Sequence, residues 1–144
     1  LVAGNGSVAG TFNRPLALAR LDADGLLDTS FGTDGTGKIL LDIGVVSDTT
    51  SFTNEVASAL AVDKQGNILV AGTNKSALTA HRLNERGELD LSYGDNGSRS
   101  VEFDSDMRES AAVLDNQEGF VILGTRRSFV PFPDDKDLAL TRIR

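Results

Sequence analysis

The feature that most constrains this chain is that it repeats itself. The segment LALARLDADGLLDTSFGTDG, from Leu16, aligns without a gap on LTAHRLNERGELDLSYGDNG, from Leu78, at an offset of 62 residues. Arg20 falls on Arg82, Leu21 on Leu83, Gly25 on Gly87, Asp28 on Asp90, Ser30 on Ser92, Phe31 on Tyr93 and Gly32 on Gly94. A third copy starts at Leu138 as LALTRIR. A second motif recurs as LVAGN from Leu1, ILVAGTN from Ile68 and VILGTR from Val121. The last two are preceded by AVDKQGN (from Ala61) and VLDNQEG (from Val113), which read as a strand, a polar turn around Gly66 or Gly119, and a return strand. A unit repeated at such a spacing cannot bury its apolar surface alone and needs like neighbours.

The periodicity inside each unit is that of strands. Leu16 and Leu18 fall on one face, Ala17, Ala19 and Leu21 on the other, so both faces are apolar and the strand reads as buried on both sides. No window carries a sustained helical stripe with caps. One full unit then holds four strands: A near Val56–Asp63, B near Asn67–Thr73, C near Ala77–Asn84 and D near Arg99–Phe103. The preceding unit supplies B, C and D at Leu1–Gly4, Pro15–Asp22 and Lys38–Ile43. The following one supplies A, B and C at Ser110–Asp115, Phe120–Thr125 and Asp137–Ile143. The organisation expected is thus 1–43 as a partial unit, 56–103 as a complete one and 109–144 as a second partial one.

Antiparallel sheets that are apolar on both faces must stack face to face, and radial stacking is the β-propeller solution. The predicted fold is all-β: a propeller fragment of about two and a half four-stranded blades, all part of one larger propeller. A sandwich needs one solvated face per sheet and cleaner alternation; a solenoid favours shorter repeats. Composition bounds partners rather than fold. The net charge of −7 argues against nucleic acid, whose phosphates need a basic surface. With no cysteine, neither a disulfide scaffold nor a thiolate zinc site can form. No apolar run reaches bilayer length, so no membrane insertion is expected. Leu1 opens the chain inside an expected strand, which reads as a piece of a longer protein.

The segments LARLDADGLLDTSFG, GKILLDIG and GNILVAGT resemble the delta-60 family of propeller-like repeats. That family's pattern runs approximately L-x-R-L-x-x-D-G-x-L-D-x-S-F-G, then a strand, then Q-x-D-G-K-I-x-V-A-G. The resemblance covers nearly the whole chain. Arg86 departs from it in the first turn of the second copy, and Gln117-Glu118 in the last hairpin. It implies a propeller-like fold in large bacterial proteins, often at the cell surface or secreted, with an extracellular or periplasmic location. It implies no defined activity and carries no catalytic residues.

The repeated side chains read as fold requirements. Asp28 and Asp90 are expected to accept backbone N–H bonds in tight turns, Phe31 and Tyr93 to anchor those turns, and Arg20 and Arg82 to clamp Asp28 and Asp90 respectively. Asp22, Asp24 and Asp28 suggest a calcium loop, but the twelve-residue spacing is absent and Arg86 replaces a ligand in the second copy, so calcium is disfavoured and no cofactor is expected. His81, the single histidine, lies where Ala19 and Thr141 stand in the other copies and reads as a packed strand residue. No serine sits in a G-x-S-x-G elbow, and GTDGTG from Gly32 precedes a strand rather than the helix a phosphate cradle needs.

Length variation is confined to the B–C and D–A connections, which leave the stack on one rim. That rim holds Phe12, Asn13, Arg14, Phe52, Asn54, Arg126, Arg127, Phe129 and Phe132, with the aromatic and arginine content of binding surfaces. The function expected is a non-catalytic scaffold or interaction module; the alternative is a glycan-binding or glycan-active propeller using this rim. Further blades of the same protein, or another copy of the chain, are expected to cover the sheet surface at both ends.

Overall fold

A computed structural model describes residues 1–7, 9, 14–41, 55–74, 77–103, 107–115, 119–127 and 136–143. Among them there is no helix; ten strands form three antiparallel sheets. Sheet 1 is β1 (Val2–Asn5), β2 (Leu16–Ala19) and β3 (Lys38–Leu41). Sheet 2 is β4 (Glu55–Val62), β5 (Ile68–Asn74), β6 (Ala77–Leu83) and β7 (Ser98–Glu102). Sheet 3 is β8 (Met107–Leu114), β9 (Phe120–Arg127) and β10 (Lys136–Ile143). In every sheet neighbours in sequence are neighbours in space, the meander that short connections impose.

Alternation along the strands sends each sheet's apolar side chains both ways. In sheet 2, Leu69 and Ala71 of β5 with Leu78 and Ala80 of β6 pack on Phe120, Ile122 and Ile143 of sheet 3. From its opposite face Ile68, Val70 and Leu83 pack on Leu16, Leu18 and Phe31 of sheet 1. Sheet 2 is therefore the middle layer; its β5 and β6 are buried on both faces and read as almost unbroken apolar runs, while positions on β4 and β7 remain exposed. Contact between neighbouring sheets is concentrated on β1, β4, β5 and β8 and thins toward β7 and β10.

The register shifts at two places among the described residues, between Met107 and Ser110 in β8 and between Ala57 and Ala59 in β4, and the second changes which way the apolar side chains face. Ala57 and Leu60, three apart, both face sheet 1, whereas Ala59 and Ala61 face sheet 3. A bulge explains this: Gly72 pairs with Ala57 and Ala71 with Ala59, leaving Ser58 as the extra residue. Some boundaries also differ from the expected ones. β2 ends at Ala19, its last residue paired on both sides, with Val2 and Lys38; beyond it the Arg20 amide reaches Gly37 O at 3.0 Å and Leu21 makes an isolated bridge to Leu27. β9 runs on through Arg127, since Lys136 continues the hairpin register opposite it. Arg126 and Arg127 are strand residues, not the loop residues expected.

Candidate functional site

The best-defined side-chain constellation is the turn that follows the third strand of a unit, and it occurs twice. After β2 the chain forms a first tight turn, with Asp22 N donating to Leu26 O at 2.8 Å; after β6, Asn84 N donates to Glu88 O at 2.8 Å. Asp22 Oδ1 accepts the amides of Asp24 and Leu26, as Asn84 Oδ1 accepts those of Arg86 and Glu88. The oxygen that a calcium loop would offer is thus turned onto the backbone. A second turn then brings the carboxylate back to the strand: Asp28 N reaches Arg20 O and Asp90 N reaches Arg82 O, both at 2.9 Å.

Asp28 and Asp90 have the same surroundings. Asp28 Oδ2 accepts Arg20 Nε at 2.8 Å, and Asp90 Oδ2 accepts Arg82 Nε at 2.7 Å. Each Oδ1 takes a serine two residues on, by amide at 3.0 Å and by hydroxyl at 2.6 Å, Ser30 in one copy and Ser92 in the other. The serine hydroxyl and amide, with the guanidinium adding to them, hold both carboxyls below the ordinary aspartate value. The guanidinium of Arg20 lies 4.8 Å from the ring centroid of Phe31, and that of Arg82 4.8 Å from Tyr93, whose ring Arg99 also approaches at 5.2 Å. Burial pushes the Tyr93 phenol upward. Sequence reasoning named the arginine–aspartate pairs but gave Ser30 and Ser92 no role, although D-x-S recurs in both copies and was the available signal.

The clamp also joins sheets. Arg20 Nη1 donates to Glu85 O at 2.5 Å and the Gly32 amide to Arg86 O at 2.9 Å, both across to the first turn of the next unit. Phe31, fully buried, lies over Gly87 of that turn. Arg142, aligned with Arg20 and Arg82, instead pairs with Asp115 at the β8–β9 turn. His81 is 2% exposed, with Nδ1 2.9 Å from Ser98 Oγ of the adjacent strand.

Of the rim residues, Arg14 is exposed beside Pro15, whose carbonyl accepts the Gly6 amide at 2.8 Å. The backbones of Arg126 and Arg127 lie opposite Asp137 and Lys136, and their side chains are outside what is described. Phe12, Asn13, Phe52, Asn54, Phe129 and Phe132 lie outside the described residues. The structure therefore brings the repeat residues together as two triads, Arg20, Asp28 and Phe31 in one unit and Arg82, Asp90 and Tyr93 in the next.

Both ends of the stack expose sheet faces. On sheet 1, away from sheet 2, Val2, Gly4, Ala17, Ala19 and Leu40 floor an open trough of about 700 Å³. On sheet 3, Val113, Leu138 and Leu140 are 65%, 72% and 68% exposed. No family model, no curated protein and no solved structure matches the chain.

Proposed function

We propose that this chain is a non-catalytic structural module: a run of like sheets fanning about an axis in the manner of a β-propeller of the delta-60 kind. Further sheets of the same kind continue the fan, and the variable rim is the surface offered to a protein partner. In this reading the protein works at a bacterial cell surface or in the secreted or periplasmic space. The motif resemblance supports that placement.

The observation that carries the reading is the uneven approach of neighbouring sheets. They meet closely through β1, β4, β5 and β8 and less toward β7 and β10. Sheets that close at one edge and open at the other make wedges, and wedges stacked in one sense curve around the closed edge. The clamp supports the same reading. Its charged groups are spent on its own turn and on the neighbouring sheet's backbone. A site built for chemistry keeps such groups aimed at a substrate.

Because the chain has no cysteine, paired nitroxides are placed without background. Lys38→Cys with Ser100→Cys marks the last strands of sheets 1 and 2, and Asn5→Cys with Val56→Cys marks β1 and β4; these positions are exposed. A fan makes the β3–β7 pair longer than the β1–β4 pair in pulsed dipolar spectra of dilute protein. Equal distances, or the reverse order, would mean a flat slab and overturn the reading.

A further inference from the structure

We infer that Asn96–Gly97 is a site of covalent self-modification. The Gly97 amide nitrogen closes on the Asn96 side chain, ammonia leaves, and aspartate or isoaspartate results. The closed turn at the end of the second clamp holds this reaction back.

The turn itself demands the labile pair. Asp95 N donates to Ser98 O at 2.7 Å and Ser98 N returns to Asp95 O at 3.1 Å, so Asn96 and Gly97 form a two-residue hairpin loop. Their φ values are +49° and +89°, and the mirror-image turn that suits a twisted hairpin needs positive φ at both central residues. Among the described residues Asn96 is the one non-glycine residue in that region. Asparagine tolerates it through its short polar side chain, here donating Nδ2 to Asp95 Oδ1 at 3.3 Å, and glycine has no Cβ to oppose it. The same two properties make the pair reactive. The asparagine amide carbon is an uncharged electrophile placed one five-membered ring from the next backbone nitrogen, and a glycine there has no side chain to block the approach. In the first unit the aligned pair is Asp34–Gly35, where Asp34 Oδ1 accepts the amide and hydroxyl of Thr36 and there is no amide group to lose.

In the reaction Gly97 N gives its proton to a solvent base and bonds to Asn96 Cγ. The Cγ–Nδ2 bond breaks, and ammonia leaves with a proton from water. Water then opens the succinimide ring, so that one water is consumed and one ammonia released, with no oxidant or cofactor. Opening at Cγ yields aspartate. Opening at the main-chain carbonyl yields isoaspartate, whose backbone runs through the side chain and is one carbon longer.

In the closed turn the attacking nitrogen is committed. Gly97 N donates to Tyr93 O at 2.8 Å, and Gly97 O accepts Arg82 N at 3.1 Å. Leu89 fills the space that a Cβ on Gly97 would take. A peptide held on both sides cannot swing its nitrogen onto Cγ, so the reaction runs through local opening of the turn. The extra carbon of isoaspartate then lies between Asp95 and Ser98, whose paired amides and carbonyls set the start of β7. The modified turn does not reclose in the same register.

The chain's other Asn-Gly pair, Asn5–Gly6, serves as an internal clock: it lies at the end of β1, with Gly6 N on Pro15 O at 2.8 Å. Folded chain and chain in guanidinium chloride are held in the same mildly alkaline buffer, and peptide mass spectrometry with isoaspartate-specific methylation follows both pairs. Asn96 should convert at least about tenfold more slowly in the folded chain. Leu89→Ala, with circular dichroism verifying its fold, should speed conversion at Asn96 and not at Asn5; Leu89→Val repeats this with less loss of core. Chains carrying isoaspartate at this position should unfold at lower urea than Asn96→Asp, which has the charge without the extra carbon. No conversion of Asn96 in guanidinium overturns the site. Equal rates in folded and unfolded chain, or Leu89 variants that speed both asparagines alike or neither, overturn the gate. Equal urea midpoints overturn the block to reclosing.

Discussion

At the scale of the residue, the clamp shows which contact sets the acidity of a carboxylate. Asp28 and Asp90 each touch an arginine, yet the larger influence is the serine two positions on, whose hydroxyl and amide both donate to Oδ1. Removing the hydroxyl in Ser30→Ala or Ser92→Ala should raise the neighbouring aspartate toward its ordinary 3.8 by more than Arg20→Gln or Arg82→Gln does. Carboxyl carbon chemical shifts followed through an acid titration read this directly, and a larger response to the arginine changes would refute the order. Stability follows with a definite sign. Asp28, Asp34 and Asp90 are all depressed in the folded chain. Their contribution is fully present above the unfolded value of 3.8 and is lost as pH falls from there through the lower folded values. Urea midpoints should therefore drop as pH is lowered below about 4, and drop less in a Ser30→Ala, Ser92→Ala double variant. Asp34 belongs to this set because Thr36 repeats the serine's role, donating amide and hydroxyl to Asp34 Oδ1 at 3.0 and 2.8 Å.

At the scale of the element, two aligned glycines separate backbone strain from packing between sheets. Gly25 and Gly87 hold φ values of +82° and +86° in the same turn of two units. A Cβ on Gly25 meets nothing within 4 Å, whereas one on Gly87 lies 2.7 Å from Phe31 Cε2 of sheet 1. Gly25→Ala should cost about 1 kcal/mol, the penalty of a left-handed alanine. Gly87→Ala should cost about 1–3 kcal/mol more, because the fully buried Phe31 ring must shift. Urea unfolding of the two variants measures the difference, and equal losses would mean the turn and the ring are not pressed together. Much of this was legible before any coordinates. The two-sided apolar runs at Leu16–Ala19 and Ile68–Ala71, separated by Asp/Asn and Gly turns, leave little choice but buried antiparallel strands. The Arg–Asp pairs were legible because both partners recur at one spacing. The bulge at Ser58 was not, since Glu55–Val62 reads equally well as plain alternation. Nor was the role of Gly87: its partner, Phe31, lies on another sheet, and spacing within one unit carries no information about the neighbour. The strand ends at Arg126 and Arg127 were missed for a similar reason, because charged residues read as loop and the register that extends β9 comes from Lys136 opposite.

At the scale of the whole molecule, one leucine position samples the stack three times. Leu16, Leu78 and Leu138 are aligned in the repeat; the first two are 0% exposed and the third 72%. Their chemistry is identical, so any difference on truncation reports only what lies over them. In dilute solution Leu16→Ala and Leu78→Ala should each cost about 2–5 kcal/mol, the price of a cavity between two sheets. Leu138→Ala should cost under about 1 kcal/mol, since an exposed strand residue loses little more than propensity. Urea unfolding of the three variants measures this ranking, and equal losses at all three positions would mean that the neighbouring sheets do not close over Leu16 and Leu78.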